Sequence, residues 1–178
     1  MKSNNVVTDK VRLAFPKLAE PNDSYRGHNP RYSVTILIPK DEKEALANIK
    51  KSMQEAALSA KDDKFGGTIP DNLRLPVKDG DKDIDTSKYP SFAGCYFIKA
   101  VSKTQPDVVD VNAEPITDLQ TVKSGDMGRV SINFYAYNAA GNAGISAGLE
   151  GVQKISDRKP PASKQRSAKE VFGVWAEI

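Results

Sequence analysis

The stretch MGRVSINFYAYN, residues 127–138, decides the fold class because it alternates strictly between apolar and other side chains. Successive side chains of a β-strand point to opposite faces, so every second residue shares a face. One face is apolar and is typical of a core: Val130, Ile132, Phe134, Ala136. The other face carries a cation, two small polar groups and two tyrosines: Arg129, Ser131, Asn133, Tyr135, Tyr137. The stretch therefore predicts a strand with one side in the core.

The polar face of this strand has an unusual composition for a surface that only meets water. A cation neutralises phosphate, amide and hydroxyl groups hydrogen-bond to bases, and tyrosine rings offer flat stacking surfaces, which together fit single-stranded nucleic acid. A plain alternative is a solvated face whose tyrosines pack against a loop or a neighbouring strand. Residues from other strands must decide between the two interpretations.

Further segments on both sides of this stretch also predict strands. Residues 6–15 place Val11, Leu13 and Phe15 inward and Lys10, Arg12 and Ala14 outward, and Pro16 is expected to end that strand. Residues 31–38 and 92–103 are rich in β-branched and aromatic side chains, with a short piece at 108–111. Asn and Gly residues at 138–144 predict a hairpin turn into a last strand at 145–155, where Gly148 and Gly151 indicate a bulge.

One segment predicts a helix, from about residue 41 to residue 60. Asp41 and Glu44 match a capping box, and Leu46, Ile49 and Met53 begin an apolar stripe at helical spacing. Residues 61–90 and 112–126 are long polar connections. The pattern predicts a mainly β protein: a five- to six-stranded barrel like the oligonucleotide-binding (OB) fold, with one helix and long polar loops. The helix follows the second strand, whereas the commonest OB barrel places it after the third.

Length and charge indicate one domain with a distinct tail. The 178 residues fit a single domain, expected over 1–157. The net charge of +3 comes from residues 158–178, which contain five basic and two acidic side chains. Residues 1–157 contain 21 basic and 21 acidic side chains. The body is thus neutral, and binding to a nucleic acid must depend on local arrangement. The tail is expected to be flexible and basic, ending in an apolar cluster.

The chain lacks the side chains that several kinds of active site require. His28 is the single histidine and Cys95 the single cysteine, which excludes an intrachain disulfide and a zinc site built from several His or Cys ligands. We also expect no histidine-based triad around His28. The aspartates at 79–85 resemble a calcium loop, but Ile84 and Pro90 replace the required glycine and glutamate. No segment is apolar for the ~20 residues of a membrane span. We expect a cytoplasmic protein that is not an enzyme and has no cofactor or metal.

Several strands offer outward cations and aromatic rings that suit sequence-tolerant binding of single strands. In the third predicted strand we assign Phe97, Lys99 and Lys103 to the outer face. The predicted nucleic-acid-binding residues are Lys10, Arg12, Arg31, Phe97, Lys99, Lys103, Arg129, Asn133, Tyr135 and Tyr137.

At this point the chain resembles the bacteriophage single-stranded-DNA-binding proteins with an OB fold, a family first described as a domain of unknown function. The resemblance covers about residues 10–155. It rests on YSVTILIPK (32–40), LPVKDGD (75–81), GCYFIKAVSKTQPDVVD (94–110), the Ser124-Gly125 step, RVSINFYAYN (129–138) and GNAGISAGL (141–149). The resemblance implies a protein that coats and protects single-stranded DNA during phage replication and recombination, in the host cytoplasm.

The tail departs from the pattern that the resemblance implies. Such proteins usually end in an acidic segment that recruits replication partners, whereas residues 158–169 here are basic. Phe172 and Trp175 then form part of an apolar cluster, which we expect to contact a phage or host replication protein or the barrel itself. Two other functions remain open on residues alone: an RNA-binding module of the same fold, and a protein-interaction or inhibitor module that uses the Tyr135 and Tyr137 face.

Overall fold

The computed structural model describes residues 5–22 and 30–157. They form eight strands, two helices and two short 3₁₀ turns. The strands are β1 (Asn5–Val7), β2 (Val11–Asn22), β3 (Arg31–Pro39), β4 (Val77–Asp79), β5 (Cys95–Ser102), β6 (Asp107–Val109), β7 (Met127–Ala139) and β8 (Asn142–Ser156). The helices are α1 (Lys43–Ser59) and α2 (Lys61–Phe65), and the 3₁₀ turns are Pro90–Phe92 and Leu119–Thr121. This is the mainly β architecture that the sequence predicts.

Five of these strands close a ring in the order β2, β3, β5, β8, β7 and back to β2. The pairings are antiparallel except for β5 with β8, which run parallel and meet at Val101 and Gly148. β1 and β6 extend the sheet at β7 and β8, and β4 pairs with β5. α1 connects the second and third strands of the ring, as expected from the sequence.

The core fills the inside of this ring, and β7 contributes its apolar face as predicted. Val130, Ile132 and Phe134 are fully buried, while Tyr135 is 45% exposed. Ile49 and Met53 of α1 join the same cluster. A fully buried aromatic ring next to an exposed one on a single strand fixes the register, because a shift by one residue would exchange them.

The hairpin between β7 and β8 turns at Ala140 and Gly141, with Ala139 paired to Asn142. Both turn residues have positive φ, 51° and 86°, as a two-residue type I′ hairpin turn requires. Further along, the register between β7 and β8 shifts by one residue, because Ser131 pairs with Gly151 and the next residue, Ile132, pairs with Leu149. Residue 150 is therefore an extra residue on β8. A bulge therefore lies where the two glycines of the last strand predicted one.

The first predicted strand is wrong in three respects. The structure divides it into β1 and β2, the strand continues past Pro16 to residue 22, and Phe15 is exposed instead of inward-facing. The cause is a bulge: Ala14 pairs with Thr35 and Lys17 with Ser33, so two residues on β2, Phe15 and Pro16, oppose the single residue Val34 on β3. Phe15 has φ of 47° at this bulge, which turns its side chain outward and sends Leu18 into the core.

The beginning of the predicted helix also needs correction. α1 begins at Lys43 with Glu42 as its N-cap, and no side chain caps it, so the predicted capping box at Asp41 and Glu44 is not formed. The apolar stripe is confirmed at Ile49, Met53 and both alanines at 56 and 57. The polar connection after it is more ordered than the sequence indicates, since it contains α2 and β4.

Two kinds of feature are absent from the described ranges. No helix within 5–22 and 30–157 is long and apolar enough to cross a membrane. In the same ranges no three His, Cys, Asp or Glu side chains are grouped as metal ligands would be.

Candidate nucleic-acid interface

Four of the predicted site residues line one open groove on the outer face of the ring. Arg31 begins β3, Lys103 follows the end of β5, and Asn133 and Tyr135 lie on β7. The groove has a volume of about 500 Å³ and is floored by β8. We call it the tyrosine groove, lined by Arg31, Val101, Ser102, Lys103, Asn133, Tyr135, Ser146, Gly148, Leu149 and Glu150. Sheet closure brings these residues together from four strands.

The Tyr135 ring lies over a glycine of the neighbouring strand. Asn133 pairs with Gly148, and Tyr135 pairs with Ser146. A Cβ atom built on Gly148 would lie 3.4 Å from Cε1 of Tyr135 and 3.2 Å from the Asn133 carbonyl oxygen. The missing side chain leaves room for the ring to lie against the strand, with its other side free. This geometry provides a flat, half-exposed aromatic surface on the groove floor.

Tyr137 repeats this arrangement one step closer to the hairpin, but its ring is more enclosed. It pairs with Gly144, and a Cβ on that glycine would lie 2.6 Å from the Tyr137 hydroxyl oxygen and from the carbonyl oxygen of Arg74. Tyr137 is half-buried, so it extends the aromatic surface without lining the groove.

Among the described residues, few hydrogen-bond acceptors contact the cations at the groove. Nη1 of Arg31 is buried and has no hydrogen-bond partner among the described residues. The one carboxylate among the described lining residues is Glu150, which accepts hydrogen bonds from Asn5 (2.7 Å) and Ser131 (2.9 Å). Lys99 of β5 is exposed on the same outer face and pairs with Thr35 of β3. Two cations and one carboxylate among the described lining residues leave the groove with an excess of one positive charge beside an aromatic ring.

Three other predicted cations lie away from the tyrosine groove. Lys10 and Arg12 line a second groove of about 360 Å³ that also contains Cys95. Arg12 donates from Nη1 to the Gly125 carbonyl oxygen at 3.2 Å. Arg129 donates from Nε to the Thr8 carbonyl oxygen at 3.2 Å and from Nη1 to Gln153 at 3.5 Å. The two guanidinium groups therefore hold parts of the fold together.

Phe97 faces outward as predicted but is covered by another ring. It meets Phe92 edge-on with ring centroids 5.1 Å apart. Phe92 is 1% exposed and also contacts Phe15 and Tyr89 at centroid distances of 5.8 and 6.1 Å. We call these four rings (Phe15, Tyr89, Phe92, Phe97) the aromatic cluster; they lie over Ala14 and Leu37 on the outside of the sheet.

The aspartates at 79–85 form an ordered loop clamped to the end of β3. Lys40 Nζ lies 2.7 Å from Asp79 and 2.8 Å from Asp81. These hydrogen bonds, first to Asp79 and then to Asp81, raise the pKa of Lys40. The hydrogen bonds from Lys40 lower the pKa of both carboxyl groups. The backbone N–H of Asp81 donates to Asp79 and lowers its pKa further, and the backbone N–H of Gly94 does the same for Asp81. The carboxylates serve the loop's own structure.

The predicted partner-binding residues Phe172 and Trp175 lie outside the described residues. Sequence reasoning missed two others that shape the tyrosine groove. Ser146 pairs with Tyr135 and Gly148 with Asn133 because the hairpin turn has two residues, Ala140 and Gly141. Placing that turn correctly in the sequence would have predicted both pairs. The outward position of Phe15 was also missed, although a proline inside an apolar run is a signal of a bulge.

Known proteins resemble this chain in both sequence and fold. A family model described as Enterobacter phage Enc34, ssDNA-binding protein, matches residues 4–177. Protein p50 of Acyrthosiphon pisum secondary endosymbiont phage 1 is 32% identical over 155 residues, which are 84% of this chain and 82% of that protein. The single-stranded DNA-binding protein from bacteriophage Enc34, solved in complex with ssDNA, has a TM-score of 0.75 at 28% identity, covering 90% of this chain and 91% of that one.

A more distant structure shares the fold. The single-stranded DNA binding protein gp2.5 encoded by bacteriophage T7 has a TM-score of 0.62 at 16% identity, covering 94% of this chain and 99% of that chain. The family match over nearly the whole sequence is the stronger finding, and it confirms the resemblance seen in the sequence motifs. This chain belongs to the family of the Enterobacter phage Enc34 ssDNA-binding protein.

Proposed function

We propose that this protein binds and coats single-stranded DNA during phage replication and recombination in the host cytoplasm, without catalysing a reaction. The observation that carries the proposal is the tyrosine groove, where Arg31 and Lys103 stand beside the half-exposed ring of Tyr135. Relatives of the same family are single-stranded DNA-binding proteins, and one is solved with ssDNA bound. In barrels of this kind, the second and third ring strands commonly bind oligonucleotides, and here those are β3 and β5.

Each part of the groove has a distinct task in this proposal. Arg31, Lys103 and the nearby Lys99 neutralise phosphates, and Tyr135 stacks with a base. Asn133 offers an amide that hydrogen-bonds to base edges. Nη1 of Arg31 supports a phosphate role, because it is a buried donor with no acceptor within 5–22 and 30–157. An unpaired buried donor costs about 1–3 kcal/mol, which a phosphate oxygen would recover.

The other predicted cations have a weaker case. Arg12 and Arg129 already donate to carbonyl oxygens of the protein, so DNA would have to compete for them. We therefore place the centre of the interface at the tyrosine groove and Tyr137 at its border. We further propose that residues 1–157 form the DNA-binding domain and that the basic segment after it brings Phe172 and Trp175 to a replication protein.

The proposal is tested by titrating labelled oligo(dT) with the full chain at several salt concentrations. Binding should weaken as salt rises, and Arg31→Met and Lys103→Met should each lower the log–log slope by about 0.7, the value for one single-strand phosphate. Lys51→Met, on the exposed side of α1, is the matched control and should leave the slope unchanged.

Two results would contradict this function. Absence of oligo(dT) binding at low salt would remove it altogether. Preferential competition by a matched RNA oligomer would replace it with RNA binding, since a 2′-hydroxyl reader is not distinguished by charge and stacking alone.

A further inference from the structure

We propose that Phe15 is a second base-stacking site, so that DNA crosses the outer face of β3 and β5 between two aromatic platforms, Phe15 and Tyr135. This inference rests on the proposed function and extends it to the path and length of the bound strand. Phe15 is not among the binding residues that the sequence predicts.

The first observation is the exposure of Phe15 in an unfavourable conformation. It has φ of 47°, a region where a bulky side chain is an outlier, and its side chain is 42% exposed. Such a conformation persists only where surrounding structure enforces it, and such residues concentrate at binding sites. Here the hydroxyl of Ser124 accepts a hydrogen bond from the Phe15 backbone N–H at 3.3 Å.

The second observation is that the ring is supported from below. Phe92, which is buried, stacks against Phe15 with an interplanar angle of 25°, and Tyr89 meets it edge-on at a centroid distance of 5.3 Å. A ring held in place on one side and open to solvent on the other resembles Tyr135 over Gly148. Both rings could accept a base with little further loss of side-chain entropy.

The third observation is the position of the two rings on the sheet. Strand pairing aligns Ala14, Thr35 and Lys99 in one outer-face row across β2, β3 and β5, and it aligns Ser146 with Tyr135 across β8 and β7. The two rows meet where β5 contacts β8, at Val101 and Gly148. Ala14 and Thr35 are buried, so Lys99 is the exposed side chain of the first row. Phe15 directly follows Ala14, and the exposed Lys99 lies midway. By way of β3, β5 and β8, four inter-strand spacings separate β2 from β7, about 19 Å along the sheet. At roughly 3.4 Å per stacked nucleotide this distance corresponds to at most about six nucleotides, within the range of OB folds.

A role in folding alone predicts a different behaviour. If the Phe15 ring only covered the aromatic cluster, its removal would lower stability and weaken binding to oligomers of all lengths alike. A stacking site instead predicts a length-dependent loss, because a short oligomer can occupy the tyrosine groove without reaching Phe15.

The experiment measures the affinity of the full chain for oligo(dT) of four and of twelve nucleotides. The proteins compared are the wild type, Phe15→Ala, Phe15→Trp and Tyr135→Ala. Leu58→Ala is the control, because Leu58 is an exposed apolar residue of α1. Phe15→Ala should lose about tenfold in affinity for the twelve-nucleotide oligomer, a loss expected for one stacked base, and less than twofold for the shorter one. Phe15→Trp should retain both affinities, and the added indole should be quenched only by the longer oligomer.

The outcomes separate the two proposals. If Tyr135→Ala loses affinity while Phe15→Ala binds the longer oligomer like the wild type, the second platform is refuted and the function stands. Equal losses for both lengths with Phe15→Ala, and no quenching with Phe15→Trp, would also refute it. If neither oligomer binds the wild type, the proposed function itself fails.

Discussion

Phe134 and Tyr135 are adjacent on β7 but should respond to truncation in opposite ways. Phe134 is fully buried, pairs with the small Ala147, and belongs to the core cluster that includes Ile49 and Met53 of α1. Phe134→Ala removes most of a ring that buries 150 Å² or more, worth about 4 kcal/mol at ~25 cal/mol per Å². The alanine at 147 cannot fill the cavity, so we expect a loss of about 3–5 kcal/mol in the free energy of unfolding.

Tyr135→Ala should show the reverse pattern. The ring is 45% exposed and lies on Gly148, outside the core, so its removal should cost less than about 1 kcal/mol in stability. It should weaken oligo(dT) binding by about 1–3 kcal/mol, the usual value for one stacked base.

Urea unfolding followed by circular dichroism measures the first quantity, and fluorescence anisotropy with labelled oligo(dT) measures the second. Phe134→Leu, which keeps an apolar side chain, is the matched control and should recover part of the stability. The reasoning is refuted if Tyr135→Ala destabilises as much as Phe134→Ala, or if Phe134→Ala remains stable while losing DNA affinity.

Three further predictions concern positions where the structure leaves little freedom. Gly148→Ala places a Cβ 3.2 Å from the Asn133 carbonyl oxygen, a tight contact, and 3.4 Å from the Tyr135 ring. The small shift of β7 that relieves the tight contact should move the ring and weaken oligo(dT) binding several-fold with little change in Tm. Gly151→Ala on the same strand should not have this effect, and equal affinities would show that the ring position is unimportant. Gly80→Ala brings a Cβ to 2.6 Å from the Cys95 carbonyl oxygen and should cost about 1–3 kcal/mol in urea unfolding; an unaltered midpoint contradicts the tight loop. Folding lowers the pKa of Asp79 and Asp81, so their pairing with Lys40 stabilises the folded protein above the unfolded pKa of about 3.9, and this stabilisation is lost as pH falls through the folded pKa. Lys40→Met should therefore lower Tm at pH 6 but not at pH 2. NMR titration of this variant should show that the pKa values of both carboxyl groups rise toward the unfolded value.

The alternating segments could be predicted from the sequence because their patterns are local. β7 and β3 each present β-branched or aromatic residues to the core, and burial enforces the register that the pattern indicates. The helix was predictable from its apolar stripe. Its capping box was not reliable, because a short polar motif also satisfies a turn, and the chain at Asp41 and Glu42 turns before α1 begins.

The errors have a common physical origin in non-local packing. Phe15 faces solvent because a bulge at Pro16 adds a residue to β2, and Phe97 is half-covered because the 3₁₀ turn just before β5 folds Phe92 back onto the sheet. The bulge depends on how β2 pairs with β3, and the ring contact depends on how the 3₁₀ turn folds over the sheet, so neither follows from the alternation of side chains alone. The predicted binding face divided for the same reason: ring closure brings Arg31 and Lys103 beside Tyr135 but directs Arg12 and Arg129 to carbonyl groups of other segments.

The most direct test of the central claim is to locate bound DNA on the chain by photo-crosslinking. An oligo(dT) with 5-iodouracil at single positions is irradiated in complex with the full protein, and crosslinked peptides are identified by mass spectrometry. DNA that occupies the tyrosine groove should crosslink to Tyr135, and the yield should fall as salt rises. Crosslinks confined to α1 or to the groove beside Lys10 and Cys95, with none on β7, would contradict the proposed interface.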